Sequence, residues 1–348
     1  MRPLPPVSPL DLDHILDHTR DLWDELRGQR IFITGGTGFF GCWLLESFTW
    51  AVEQLGLDTQ AFVLTRSPDA FHQKAPHLAG HRSVTLVQGD IRNFEFPEGK
   101  FSHVIHAATE SSAKLNAENP LLMLDTIVEG TRHTLDFAAS HETKKLLLTS
   151  SGAVYGKQPP NMTHIPEDYL GAPDTMDPNS AYGHGKRLAE FLCAQYSRQY
   201  GFETKIARCF AFVGPYLPLD AHFAIGNFIR DAMNGGPIIV KGDGTPYRSY
   251  LYAADLAIWL WTILIKGETC RPYNTGSGKD FSISELAYQI VSIIGSNLDV
   301  EILRRPQEGK VPDRYVPSTN IANQELGLNA LISLRDGISR TIAYCQGV

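Results

Sequence analysis

The chain has 348 residues, 43% of them hydrophobic, with 31 basic against 38 acidic side chains and a net charge of −7. This is enough apolar material for a core plus an appended lobe, and the acidic balance leaves no extended basic face for a phosphate backbone, so a nucleic-acid partner is not expected. Five cysteines without a Cys-x-x-Cys pair argue against a disulfide framework or a zinc site and for a reducing, cytoplasmic setting, while residues 1–6 lack a signal-peptide core and the longest apolar run, 256–265, is far short of the ~20 residues that span a bilayer.

Residues 8–27 open the chain as an amphipathic helix: Leu10, Ile15, Leu16, Leu22, Trp23 and Leu26 recur at helical spacing behind a Ser8 cap paired with Asp11. The helix is expected to pack on the main domain or on a partner subunit. Next comes the most informative stretch, the β-branched run Ile31-Phe-Ile-Thr34 leading into Gly35, Gly38 and Gly41. Glycines spaced three apart between a strand and a helix read as a dinucleotide-binding turn. Gly35 allows the tight exit from the strand, Gly38 lets backbone N–H groups approach a pyrophosphate, and Gly41 lets the helix over 39–52 pack close to the sheet. That helix points its N-terminal partial positive charge at the phosphates.

From residue 30 strands and helices alternate, with strands over 31–34, 61–65, 84–88, 103–106, 145–150 and 204–208 and helices over 39–52, 120–140 and 181–199. The pattern predicts an α/β fold of the Rossmann type, a doubly wound parallel sheet. After Gly214-Pro215 the rhythm gives way to turn-rich segments at 242–246 and 274–277, read as a smaller C-terminal substrate-binding lobe. The expected organisation is an N-terminal helical extension (1–28), a dinucleotide-binding domain (29–214) and a substrate lobe (215–348), with some of the last part returning to the first domain.

Two segments carry chemistry at the carboxyl edge of that sheet, where ligands bind in such folds. One is Leu148-Thr-Ser-Ser-Gly-Ala-Val-Tyr-Gly156 at a strand end, and the other is Ala181-Tyr-Gly-His-Gly-Lys-Arg-Leu-Ala-Glu190 at a helix start. Tyr182 and Lys186, four apart, share a helix face. Moving a phenol from about 10 to about 7 requires roughly 4 kcal/mol, close to what one positive charge at about 4 Å supplies at an effective dielectric near 20. Tyr182 is therefore the expected base for a hydroxyl proton during hydride transfer, and Ser151 the hydrogen-bond donor that holds the same oxygen.

Taken together, Thr34-Gly-Gly-Thr-Gly-Phe-Phe-Gly41, Gly89-Asp-Ile91, His106-Ala-Ala108, Ser150-Ser-Gly-Ala-Val-Tyr-Gly156, Tyr182 with Lys186, Gly214-Pro215, Arg248-Ser-Tyr250, Asp255 and Asn274-Thr-Gly276 make the chain resemble the extended short-chain dehydrogenases/reductases of the sugar-nucleotide epimerase/dehydratase family. The resemblance runs from about residue 30 to 344. It implies a nicotinamide cofactor held by Gly35, Thr37, Gly38, Phe39, Gly41, Arg66, Asp90, Ile91, Ala107 and Ala108 together with Tyr182 and Lys186. It also implies a nucleoside-diphosphate sugar as substrate, with Ser111, Asn227, Arg248 and Arg314 among its contacts, and a homodimer.

The subfamily signals diverge. Ala181 to Glu190 with Glu167-Asp-Tyr169 is most similar to UDP-glucuronate decarboxylases, and His106-Ala-Ala-Thr-Glu-Ser111 to dTDP-glucose 4,6-dehydratases. Yet Gly152-Ala153 follows Ser151 where those dehydratases carry an Asp-Glu pair and the decarboxylases a Glu, and Ala211 replaces the family's usual asparagine near the diphosphate. Losing the carboxylates counts against elimination and favours C4 epimerisation. An NADPH-dependent 4-ketoreductase is the next alternative, then a decarboxylase-like or dehydratase reaction or a non-catalytic cofactor-binding role. At the end of the second strand Thr65-Arg66 stands where NAD enzymes of the family usually place an aspartate. An arginine suits a 2′-phosphate, so NADP is weighed slightly above NAD.

Overall fold

The computed structural model describes residues 3–109, 113–221, 223–295 and 298–347. Helix α1, Pro9–Thr19, starts as its sequence requires, with the Ser8 hydroxyl accepting from the Leu10 N–H. It does not run on unbroken to residue 27. The Thr19 hydroxyl donates back to the Ile15 carbonyl at 2.7 Å, a pairing that bends helices, and the chain continues as a 3₁₀ turn, Arg20–Leu22, and one further turn, Trp23–Leu26. The apolar face packs inward, with Trp23 fully buried 4.8 Å from the Trp261 ring and 6.5 Å from Phe48. Asp11 is also buried. It accepts from the Tyr252 hydroxyl at 2.7 Å and is ion-paired with Arg340, so the first helix is clasped to the last. Trp23→Ala is expected to cost about 3–5 kcal/mol, read as a lowered midpoint in urea unfolding.

The main sheet follows: β1 (Arg30–Thr34), helix α2 (Phe39–Leu55), β2 (Gln60–Thr65), β3 (Val84–Gln88), β4 (His103–His106), α3 (Pro120–Ser140), β5 (Lys145–Ser151), α4 (Ala181–Tyr200), β6 (Glu203–Cys209) and β7 (Pro272–Thr275). All its pairings are parallel and the order is β7-β6-β5-β4-β1-β2-β3. Side chains alternate across it. Ile31 and Ile33 enter one buried cluster, with α1, α2 and the mostly apolar helix Ala253–Lys266, while Phe32 enters the other beneath α3 and α4. Burial on both faces is what a parallel sheet requires.

The chain after residue 215 divides. Helix Ala224–Met233 and strands Ile238–Val240, Tyr247–Ser249, Asp280–Ser282 and Arg314–Tyr315 form the small lobe. Helix Ala253–Lys266 and β7 return to the main sheet, so the Asn274-Thr-Gly motif sits at the end of a sheet strand and not in the lobe. Strand order reverses between β1 and β4, whose last residues Thr34 and His106 are in register. The loops after these two strands therefore flank one crevice. No helix among the described residues is long and apolar enough to cross a membrane.

Candidate active site

The glycine turn is built as its spacing demands. Gly35 has φ +72°, the left-handed region, and a Cβ there would lie 2.5 Å from the Ala107 carbonyl carbon. A Cβ on Gly41 would lie 2.3 Å from Gly36, so a side chain there would push α2 off the turn. Gly38 is the N-cap of α2, and no side chain caps that end, leaving first-turn N–H groups directed at the crevice. This arrangement fits a pyrophosphate. Phe39 begins the helix, and the Thr37 carbonyl accepts from the Lys74 ammonium at 2.7 Å. Lys74 carries a charge to this turn that the sequence did not announce.

Around the crevice, the Ala107 N–H donates to the Thr34 carbonyl at 3.1 Å and the Ala108 N–H to the Thr34 hydroxyl at 3.2 Å. That hydroxyl is held in turn by His106 Nδ1 at 2.8 Å, and His106 Nε2 contacts the Thr131 hydroxyl at 3.0 Å. Burial lowers His106 to about 3, so it is a neutral strut. Asp90 grips its neighbour Arg92 through Nε at 2.8 Å and Nη2 at 3.2 Å, which keeps its carboxyl below the usual range. Ile91 is buried against Gly130. Arg66 is exposed at the end of β2 and has no side-chain hydrogen bond or ion pair among the described residues, while its charge also acts on Asp90.

Ser151 at the end of β5, with Tyr182 and Lys186 in the first turns of α4, come together at the carboxyl edge. Lys186 is buried, its ammonium donating to the Thr109 hydroxyl at 2.6 Å and the Thr149 carbonyl at 2.7 Å, and burial lowers it to about 8. The phenol of Tyr182 is pushed up by burial, with the Ser151 hydroxyl pulling the other way. The ammonium beside the phenol that the spacing suggested is therefore not the dominant influence on Tyr182: Lys186 faces the two threonine oxygens.

Ser151 has a further neighbour that sequence reasoning missed, Tyr315 of the small lobe, with hydroxyl oxygens 3.4 Å apart. Tyr315 also packs on Phe210, ring centroids 4.7 Å apart. Both occupy the space beside Gly152, where a Cβ would meet Phe210 at 2.7 Å and the Tyr315 hydroxyl at 2.8 Å. No carboxylate is supplied at 152 or 153. Glu167 uses Oε1 to accept from the Asn274 N–H at 2.9 Å and buries Oε2 without a hydrogen-bond partner among the described residues, and burial raises its carboxyl. Glu190 is spent on Arg208 at 2.7 Å, and His184 contacts the Asp174 carbonyl at 3.2 Å.

Of the substrate candidates, Arg248 and Arg314 line one open cleft of about 410 Å³ with Gly156, Gln158 and Tyr315. Arg314 is already ion-paired with Asp280 at 2.5 Å and stacked 4.1 Å over Tyr247. Arg248 donates to the Tyr247 carbonyl at 2.7 Å and has no carboxylate partner among the described residues, which makes it the freer of the two for a phosphate. The Asn227 side-chain oxygen accepts from Arg230 at 3.2 Å. Ser111, and with it Glu110, lies outside the described residues.

A model of the NAD dependent epimerase/dehydratase family matches residues 31–276. UDP-glucuronic acid decarboxylase 1 of Xenopus tropicalis is 29% identical over 316 residues, 91% of this chain and 72% of that protein. Among solved structures, UDP-glucose 4-epimerase of Thermotoga maritima superposes with a TM-score of 0.77 at 21% identity, covering 91% of this chain and 99% of that one. A dTDP-glucose 4,6-dehydratase of Streptomyces venezuelae with NAD bound gives 0.77 at 22% identity, covering 91% and 97%.

Proposed function

Because the chain belongs to the NAD dependent epimerase/dehydratase family, we propose that it acts on a nucleoside-diphosphate sugar by hydride transfer at C4, and specifically as a C4 epimerase. The observation that carries the reading is the cluster of Ser151, Tyr182 and Lys186 beside the glycine turn, with Gly152 and Ala153 offering no acid or base next to it. The turn of Gly35, Gly38 and Gly41 would hold an oxidised nicotinamide cofactor, which would supply a hydride acceptor for C4 and a positive charge near the phenol. Tyr182 takes the C4 hydroxyl proton and returns it when the ketone is re-reduced. Ser151 holds the same oxygen, and Lys186, anchored by Thr109 and Thr149, keeps a cation within the crevice. Arg248 offers its guanidinium to the diphosphate.

A second reading has its own support. The 29% identity to a UDP-glucuronic acid decarboxylase across 91% of the chain favours oxidation at C4 followed by loss of carbon dioxide. Incubation with UDP-, dTDP-, GDP- and CDP-sugars, with and without NADPH, and mass analysis of the products separates the possibilities. A product of unchanged mass supports epimerisation. Loss of carbon dioxide supports the second reading, and net consumption of NADPH supports a ketoreductase. Absence of turnover in a protein that still binds cofactor overturns the enzymatic proposal.

Arg66, exposed at the ribose end of β2, is proposed as a reader of a 2′-phosphate. Arg66→Ala is expected to weaken NADP(H) by about tenfold, the scale of one charge-assisted contact, and to leave NAD(H) nearly unchanged. Calorimetric titration of both cofactors checks this, and equal losses would remove Arg66 from that role.

A further inference from the structure

A serine hydroxyl has one proton to donate and two lone pairs to accept with. At Ser151 the Ala153 N–H donates to Oγ at 3.1 Å, and the Tyr315 hydroxyl lies 3.4 Å from the same oxygen. The Ser151 hydroxyl also acts on Tyr182, pulling its phenol toward ionisation. We propose that Tyr315 is a positioning residue: by donating to Ser151 Oγ alongside the Ala153 amide it fills both acceptor sites, so the single Ser151 proton must be donated toward Tyr182 and the reacting sugar oxygen.

Three features support this. Burial pushes the Tyr315 phenol up to about 12, so it remains protonated and able to donate throughout the working pH range. Gly152 is what admits it, since a Cβ there would stand 2.8 Å from the Tyr315 hydroxyl. At 3.4 Å the two hydroxyls stand just beyond the ~2.5–3.0 Å of a fully formed O–H···O bond, and catalytic hydrogen bonds that are long in the free enzyme tighten in the Michaelis complex. The consequence for Tyr182 has a definite sign. A hydrogen bond donated to a phenolate stabilises the charged form and lowers the phenol's pKa. Losing the Tyr315 hydroxyl frees the Ser151 proton to turn away, so the phenol should ionise at higher pH.

Cys209 on β6 acts on both phenols but is pushed up to about 12 by burial and stays neutral. Lys186 lies four residues along α4 from Tyr182. The Arg248 guanidinium faces Tyr315, 5.9 Å from its ring centre. Tyr315→Phe changes none of these charges and keeps the ring that stacks on Phe210.

The role assigned to the Ser151 proton at the sugar rests on the proposed function, but the effect on Tyr182 is measurable without turnover. The experiment is an ultraviolet phenolate titration of the full-length protein saturated with NAD⁺ or NADP⁺, comparing the parent with Tyr315→Phe and Tyr315→Leu. Each is corrected by the same protein carrying Tyr182→Phe. The Tyr182 midpoint is expected to rise by about one pH unit in Tyr315→Phe, about tenfold less phenolate at a given pH below the midpoint. In Tyr315→Leu it should rise by a similar amount. Coincident midpoints in the parent and Tyr315→Phe, or a shift seen only with Leu, would reduce Tyr315 to packing and overturn the proposal. A parent whose Tyr182 gives no titration would overturn it too. If the midpoint moves but no sugar nucleotide is turned over, the Ser151 assignment stands and the reaction is wrong. If sugars turn over and the midpoint does not move, the reverse holds.

Discussion

Tyr182→Phe is expected to lower turnover by about 10²–10⁴-fold, the usual worth of one positioned acid–base group, while leaving folding and cofactor affinity close to those of the parent. The substitution removes one oxygen and keeps the ring against the apolar cluster beneath α3 and α4. The lost oxygen is the one whose ionisation the Ser151 hydroxyl favours. Burial holds this phenol above its ordinary value, so the reaction of the parent should speed up as pH rises toward the phenol's midpoint in the cofactor complex. The mutant should lose that limb of the profile. Steady-state rates across pH, with thermal unfolding as a control, measure both effects. Near-parental turnover in Tyr182→Phe would end the proposed mechanism.

The second large effect is a reaction that should not occur. A 4-keto hexose loses its C6 hydroxyl as water only if one group removes a proton from C5 and another delivers a proton to the leaving oxygen. Each is worth about 10²–10⁴-fold, so lacking both should slow elimination by about 10⁴-fold or more. Gly152 and Ala153 have nothing to offer. Glu167 spends one oxygen on the Asn274 amide, Glu190 is paired with Arg208, and His184 is turned to the Asp174 carbonyl. Products from NDP-hexoses are therefore expected to keep their oxygen count, with no 4-keto-6-deoxy sugar accumulating. A product lighter by one water, formed at an ordinary enzymatic rate by mass spectrometry, would mean that an acid–base pair has been missed. Glu167, with one buried oxygen unpartnered among the described residues, would be the first to substitute.

What was legible in the sequence was local. A β-branched run ending in glycines has few alternatives. Tyr182 and Lys186 share a helix face by spacing alone, and α3 spans the predicted 120–140. What was not legible depends on pairing between distant segments. Nothing in Asn274-Thr-Gly276 announces that its strand rejoins the main sheet beside β6. Tyr315 reaches Ser151 across 164 residues, brought there by the pairing of strand Arg314–Tyr315 with Tyr247–Ser249. The same strand places Arg314 beside Asp280, so an arginine read as a phosphate ligand already holds a carboxylate. The direction of the Lys186 ammonium was equally hidden, because Thr109 and the Thr149 carbonyl belong to other segments.

The clasp between the two ends of the chain has a consequence for the order in which the protein is made. Tyr252 and Arg340, which satisfy the buried Asp11 carboxylate, emerge from the ribosome 241 and 329 residues after it. A carboxylate buried without partners is strongly unfavourable, so α1 has reason to stay undocked during most of synthesis while the sheet assembles beside it. Docking of the first helix then becomes one of the last events of folding. Premature termination before residue 340 should leave the Asp11 carboxylate without its Arg340 partner, and with it a less firmly docked α1 than in the finished protein.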